Sequence, residues 1–372
     1  MIMIVLFLVG CFFIALLLGM IMIPNILLIS YRKRLFDLPD SRKVHTNPIP
    51  RLGGLSFLPA IVITFALMTG LRYLLDFPIE NLPMPRTLYE FLFWMVGAMS
   101  LYLVGVQDDL ISVGYRWKFL IQLIAALLLV FCGDWIHSLG GLFGIYDLPA
   151  WLGIPLTAIL IVYIINAINL IDGVDGLASG LSCISLALLA YMHVMAEQYI
   201  YAFLALATLG ILIPFWCYNV FGNACRGHKL FMGDTGSLTL GYILSFLVIH
   251  LSFVPQEGSR HANPSLIMAL TTLLVPLFDV VRVVMHRVRN GKNPFLPDKN
   301  HFHHKLINTG MRVRWVMASI LFTALFFIVL NFLLLSYCNV TFIFILDILL
   351  WIVLHLYLDI LIARRKKIES SK

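Results

Sequence analysis

Gly153-Ile-Pro-Leu-Thr-Ala-Ile-Leu-Ile-Val-Tyr-Ile-Ile-Asn166-Ala-Ile-Asn169-Leu-Ile-Asp172, followed at once by Gly173-Val-Asp175-Gly176, is the stretch on which the fold turns. Its apolar part approaches the ~20 residues that a helix needs to cross ~30 Å of hydrocarbon. Asn166, Asn169 and Asp172 recur every third residue, which aligns them near one end of that helix. An ionised Asp at the bilayer centre would cost roughly 2.5–3.5 kcal/mol on insertion scales. Gathering the polar groups at the interface avoids most of that cost, and two Asp-Gly pairs then turn the chain. The D-x-[DN]-x-[DN]-G spacing of a calcium loop is absent. What remains is a set of amides and carboxylates able to bind a nucleotide or a cation.

The same reading extends along the whole chain. A hydrophobic fraction of 61 %, with 12 % charged residues, is untenable for a water-soluble domain, which would expose large apolar patches. Apolar runs fall at about 2–30, 54–71, 88–106, 119–132, 153–172, 176–195, 199–219, 237–253, 265–282, 316–336 and 340–363. The expectation is therefore an all-α polytopic integral membrane protein. About eleven transmembrane helices would form a single membrane domain, 1–372. The first run lacks a basic leader and exceeds a cleavable signal's core, so it reads as a retained span. Of 26 Lys and Arg, 23 fall in one set of loops, and Arg72, Arg86 and Arg260 alone fall in the alternate set. By the positive-inside rule the N-terminus faces out and the C-terminus is cytoplasmic. The net charge of +7 belongs to that cytoplasmic face, as an insertion signal and an attraction for anionic lipid rather than for nucleic acid.

That face also carries the chemistry, in loops 31–53, 107–118, 172–176, 220–236 and 283–315. Adjacent Asp108 and Asp109 cannot both ionise cheaply unless a cation or a hydrogen-bond network compensates, and Lys118 follows them. In Phe231-Met-Gly-Asp234-Thr-Gly-Ser237, Asp234 can either cap a helix or hold a divalent metal. His301-Phe-His303-His304, among Arg287, Arg289, Lys299 and Lys305, has no zinc-motif spacing and suits phosphate handling better. The six cysteines show no C-x-x-C and read as small apolar residues. Asp279, inside its span after Pro276, is the one residue that would suit an ion-coupled transporter.

Together, N-A-x-N-x-x-D-G-x-D-G, the Asp pair with its following Lys, F-M-G-D and P-D-x-x-H-x-H-H resemble the polyprenyl-phosphate N-acetylhexosamine-1-phosphate transferases. The nearest branch is the WecA/TagO type, relatives of MraY. The first loop also fits, through Asp37, Asp40, His45 and Pro50-Arg51-Leu-Gly53-Gly54. The resemblance implies transfer of a sugar 1-phosphate, most simply GlcNAc-1-phosphate, from a UDP-sugar to undecaprenyl phosphate, releasing UMP. That would be the initiating step of an envelope polysaccharide at a bacterial inner membrane. It implies Mg²⁺ (with Mn²⁺ as a substitute) held by Asp234 with help from Asn169. Asp108 and Asp109 would position or deprotonate the lipid phosphate or assist the metal. Asp172 and Asp175 would lie in the nucleotide and metal region, with Asn166 also binding substrate. Phe231 would stack on uracil, and Lys118, Arg287, His301, His303 and His304 would hold the pyrophosphate. A homodimer is compatible with the same resemblance. Two departures stand out: Ser112 occupies a position where the family carries a charged residue, and H-F-H-H replaces the H-H-H-[FY]-E of MraY. The second argues against a muramoyl-pentapeptide substrate.

Overall fold

The computed structural model describes residues 2–36, 48–76, 84–253, 265–293 and 300–370; Asp37, Asp40, His45, Pro297 and Asp298 lie outside these. Segments that are apolar on every side have little alternative to helix, because backbone N–H and C=O groups facing lipid must be satisfied within the segment itself. The described residues form α1 (Ile2–Lys33), α2 (Phe57–Leu74), α3 (Met84–Ile111), α4 (Tyr115–Phe131), α5 (Ala150–Ile171), α6 (Leu177–Met195) and α7 (Tyr199–Phe221). After these come α8 (Gly233–His250), α9 (Ser265–Thr271), α10 (Leu274–Arg289), α11 (Phe302–Asn308), α12 (Val313–Leu334) and α13 (Val340–Ser370). Eight helices are long and apolar enough to cross a membrane, and the bent pair α9 and α10 makes a ninth. The other two expected spans are α4, of 17 residues, and α8, which opens on five small or polar residues. The chain is thus an all-α multi-pass membrane protein.

The run at 265–282 departs from the expected single span. It breaks into α9 and α10, which meet at 75°. Pro276 has no N–H to offer the Thr272 carbonyl one turn back. That carbonyl instead accepts the Ser185 hydroxyl from α6 at 2.7 Å, so the break sits inside protein rather than in lipid.

At the centre lies α8, buried along nearly its whole length and packed chiefly against α5 and α3. Because it meets protein on all sides, it can carry Asp234, Thr235, Ser237 and Thr239 without exposing them to lipid. Close approach depends on small residues, as in other membrane bundles. A Cβ on Gly105 of α3 would stand 2.4 Å from the Cα of Thr235. Gly105→Ala is therefore expected to lower thermal stability in detergent by about 1–3 kcal/mol. Gly70→Ala, which meets nothing within 4 Å, is expected not to lower it.

Candidate active site

The first N–H groups of any helix lack intrahelical acceptors. At α8 they are met by a carboxylate from another helix. Asp109, in the last turn of α3, accepts the Asp234 N–H at 2.8 Å, the Thr235 N–H at 3.0 Å and the Thr235 hydroxyl at 2.6 Å. Its side chain is 0 % exposed, and it lies where the positive end of the helix dipole favours negative charge. Gly233 turns the chain into this cap with φ +72°; a Cβ there would lie 2.2 Å from the Arg51 carbonyl oxygen and 2.5 Å from Asp109 Oδ2. The strand-like segment around Arg51 is tied down beside it. Phe231 donates its N–H to Pro50, while Gly53 and Gly54 donate to Phe231 and Met232, all at 2.8–2.9 Å.

The charges converge on Asp234. Lys118 Nζ lies 2.7 Å from Asp234 Oδ2 and 3.3 Å from Asp108 Oδ2, and Arg51 lies 3.7 Å from Asp234 Oδ1. Asp108 Oδ1 accepts the Val113 N–H at 2.7 Å. This closes a tight turn in which Ser112 adopts φ +58°, so that residue shapes the loop rather than supplying a charge. Just past the end of α5, the side chain of the half-buried Asp172 has neither a hydrogen bond nor an ion pair among the described residues. Burial, and then the neighbouring Asp234 carboxylate, push its acid up to about 7. Asp175 instead forms an ion pair with Lys229. Asn169 donates to Ser237 Oγ at 2.8 Å, and its amide oxygen accepts no hydrogen bond from the described residues. Among the described residues, four carboxylates (Asp108, Asp109, Asp172, Asp234) thus face two cations (Arg51, Lys118), a formal balance of −2 when every acid is ionised.

The histidine loop is fastened to the same end. Asp279, 1 % exposed, accepts from His301 Nδ1 at 2.8 Å, from the Phe302 N–H at 2.9 Å and from Arg282 at 2.8 Å. The His301 and His303 rings lie parallel, 5.8 Å apart. His303 packs on Gly173, where a Cβ would come within 2.8 Å of His303 Nε2. The two motifs, 130 residues apart in sequence, therefore touch. Burial, then His304 and His301, push the His303 imidazolium down to about 3, so the ring is neutral at neutral pH. Its Nδ1 is buried without a hydrogen-bond partner among the described residues.

The structure brings together Asp108, Asp109, Lys118, Asn169, Asp172 and Asp234, with Asp175 and the three histidines adjoining. Arg287 is buried in the last turn of α10, and Phe231 is half-buried on the loop before α8. Asn166 is turned elsewhere: its amide bonds Gln122 at 2.6 Å and the Val162 carbonyl at 2.8 Å, which fastens α5 to α4. Arg51, Thr235 and Asp279 are additions to the sequence-derived set. Arg51 had a signal in the first-loop motif. Asp279 signalled only as an unexplained acid inside a span, and its partners make it an anchor for the histidine loop. A separate trio of potential metal ligands, Glu90, Asp134 and His250, belongs to the opposite end of α8.

Two consequences are measurable by thermal melting in detergent. Asp109→Asn places an NH₂ group against an N–H of Asp234 or Thr235 and is expected to cost about 1–3 kcal/mol. For His303, the folded value lies below the unfolded ~6.5, so its contribution is present above about pH 6.5 and is lost as pH falls towards 3. His303→Gln is therefore expected to lose less stability than the parent protein between pH 7 and pH 4.

A sequence profile of glycosyl transferase family 4 matches residues 91–252, the segment from α3 to the end of α8. A Bacillus subtilis (strain 168) protein called a probable undecaprenyl-phosphate N-acetylglucosaminyl 1-phosphate transferase is 33 % identical over 309 residues, 82 % of this chain and 78 % of the relative. Proteins of Yersinia pestis and Escherichia coli (strain K12) called undecaprenyl-phosphate alpha-N-acetylglucosaminyl 1-phosphate transferase are 28 % and 29 % identical. Each of those two alignments covers 75 % of this chain and 71 % of the relative. With a helical membrane bundle, an acidic cluster on α3, α5 and α8, and relatives aligned across most of its length, this chain belongs to glycosyl transferase family 4.

Proposed function

We propose that the protein transfers N-acetylglucosamine 1-phosphate from UDP-N-acetylglucosamine to undecaprenyl phosphate, giving undecaprenyl-pyrophosphoryl-N-acetylglucosamine and UMP. The observation that carries this reading is the balance of −2 at the N-terminus of α8, with basic and imidazole groups beside it. It is a setting suited to holding a divalent cation among phosphates, and the relatives described above carry the name undecaprenyl-phosphate N-acetylglucosaminyl 1-phosphate transferase, the first as a probable one. The 23 basic residues in one set of loops support placing this end at the cytoplasmic face of a bacterial inner membrane, where a nucleotide sugar is available.

The donor set suits Mg²⁺. The Asp234 and Asp172 carboxylates and the Asn169 amide oxygen are hard ligands, few enough for phosphate and water to complete the shell. When bound, the ion neutralises charge on the phosphates and helps align them. Lys118 and Arg51 hold Asp234 in place and add positive charge beside the reacting groups. Asp109 acts through position, fixing the turn that presents Asp234. His301 and His303, oriented by Asp279 and Gly173, are placed to donate to the pyrophosphate, and Arg287 adds charge at the same end. An oxygen of the lipid phosphate attacks the β-phosphorus. The new P–O bond forms as the α,β-phosphoanhydride breaks, and UMP leaves with the electron pair. Because that oxygen is already ionised, no covalent enzyme intermediate is needed to activate it. One anhydride replaces another, so the reaction is close to thermoneutral and reversible.

The test uses detergent-purified protein with undecaprenyl phosphate, Mg²⁺ and a panel of UDP-sugars, with UMP release as the readout. UMP is expected from UDP-N-acetylglucosamine only with the lipid, and EDTA is expected to stop it. Asp234→Asn is expected to insert into membranes and lose about 10²-fold or more of the rate. Full activity in that variant refutes the metal assignment. A folded, lipid-loaded protein that releases no UMP from any UDP-sugar refutes the transferase reading.

A further inference from the structure

Glu90, Asp134 and His250 come from the start of α3, the turn after α4 and the last residue of α8. They are 2 %, 1 % and 3 % exposed, and their ligand atoms all lie within 4.8 Å of one another. His250 stands 16 residues beyond Asp234 on one helix, which at 1.5 Å per residue places the trio about 24 Å from the acidic cluster. It is no part of the reaction site. We infer that Glu90, Asp134 and His250 form a second, structural metal site, for a divalent cation of the zinc type.

Two features carry the inference. The spacing is within reach of one ion, since all the ligand atoms lie within 4.8 Å of one another and the His250 Nε2–Asp134 Oδ2 pair, at 3.2 Å, already stands near the ~3.3 Å of two zinc ligands in a tetrahedron. The surroundings fit as well, because ligating carboxylates and imidazoles are normally held by outer hydrogen bonds and a dry shell. The Tyr201 hydroxyl donates to Glu90 Oε2 at 2.9 Å. The Tyr201 ring stacks on His250 at 4.1 Å, and Phe246 closes in edge-on at 4.5 Å. The neighbouring His193 is engaged elsewhere, through Gln198 at 2.8 Å and the Leu247 carbonyl at 3.1 Å, which leaves three ligands among the described residues. One imidazole with two carboxylates favours zinc over Mg²⁺ or Ca²⁺, which prefer oxygen throughout. Such an ion ties α3, α4 and α8 together at the end remote from Asp234 and fixes the axial position of α8.

The experiment uses full-length, tag-free protein in detergent, stripped with EDTA and titrated with Zn²⁺, Mn²⁺ or Mg²⁺. Bound metal is read by elemental analysis and stability by thermal melting. The expectation is about one zinc per chain, as three ligands on one ion require, with a raised melting midpoint. Glu90→Gln and His250→Ala are expected to lose the metal, and Asp234→Asn to keep it. Tyr201→Phe, which removes only the outer hydrogen bond, is expected to weaken zinc binding about tenfold. Tight binding of Mn²⁺ through the same three residues would support the site and change the metal. Zinc retained by His250→Ala, or lost with Asp234→Asn, would overturn the proposal. If the variants fail to fold, the parent protein decides: no bound metal and a melting midpoint unmoved by Zn²⁺ and Mn²⁺ would overturn it equally.

Discussion

The Asp109 carboxylate on the first turn of α8 is the contact from which the rest of the site follows. A helix N-terminus enclosed by protein presents donors that water cannot reach, and leaving them unmet costs about 1–3 kcal/mol for each group. Asp109 meets three donors with two oxygens. In doing so it sets the register of α3 against α8 and turns the Asp234 side chain towards Lys118. Gly105 and Gly233 are consequences of the same contact, because neither position leaves room for a Cβ. Asp108, one residue earlier on α3, faces Lys118 and closes the α3–α4 turn. The adjacent acids therefore divide the work: Asp109 builds, and Asp108 faces the site.

Around that cap, the arrangement of charge and neutrality supports the proposed reading, in which both substrates are polyanionic. Among the described residues, the cluster with all four acids ionised is formally short of positive charge by two units, which a divalent ion would supply, while the adjoining histidine loop presents at least one neutral imidazole. A neutral ring next to bound phosphate can donate a hydrogen bond without adding a charge that burial would penalise. Asp279 makes this possible from inside a helix by fixing His301 and the Phe302 N–H. A buried acid in a membrane span usually signals transport or catalysis. Here its partners give it a positioning task.

The lipid environment explains the break between α9 and α10 as well. Irregular backbone at membrane depth survives only where protein satisfies the freed groups, and Ser185 does so for the carbonyl that Pro276 releases. The bend lets α10 carry Asp279, Arg282 and Arg287 towards the loop that ends in His301.

From sequence alone, the helical class, the bundle and the membership of the acidic cluster were legible. Apolar runs of spanning length admit helix, and the acids and amides gathered at their ends stand out against them. Asp108, Asp109, Asp172 and Asp234 could be named because each interrupts or ends such a run. What the sequence could not assign was the partner of each acid. Asn166 and Asn169 sit three residues apart on one helix, yet one fastens α4 and the other reaches Ser237 on α8. Asp279 resembled a transport residue until His301, 22 residues on, closed upon it. The span at 265–282 read as continuous because nothing local reveals that Ser185 waits for a free carbonyl. Glu90, Asp134 and His250 carry no motif and meet only when three helices are packed. Periodicity and the cost of burying charge are local properties that a sequence displays, whereas the pairing of donors and acceptors across helices exists only in the folded bundle.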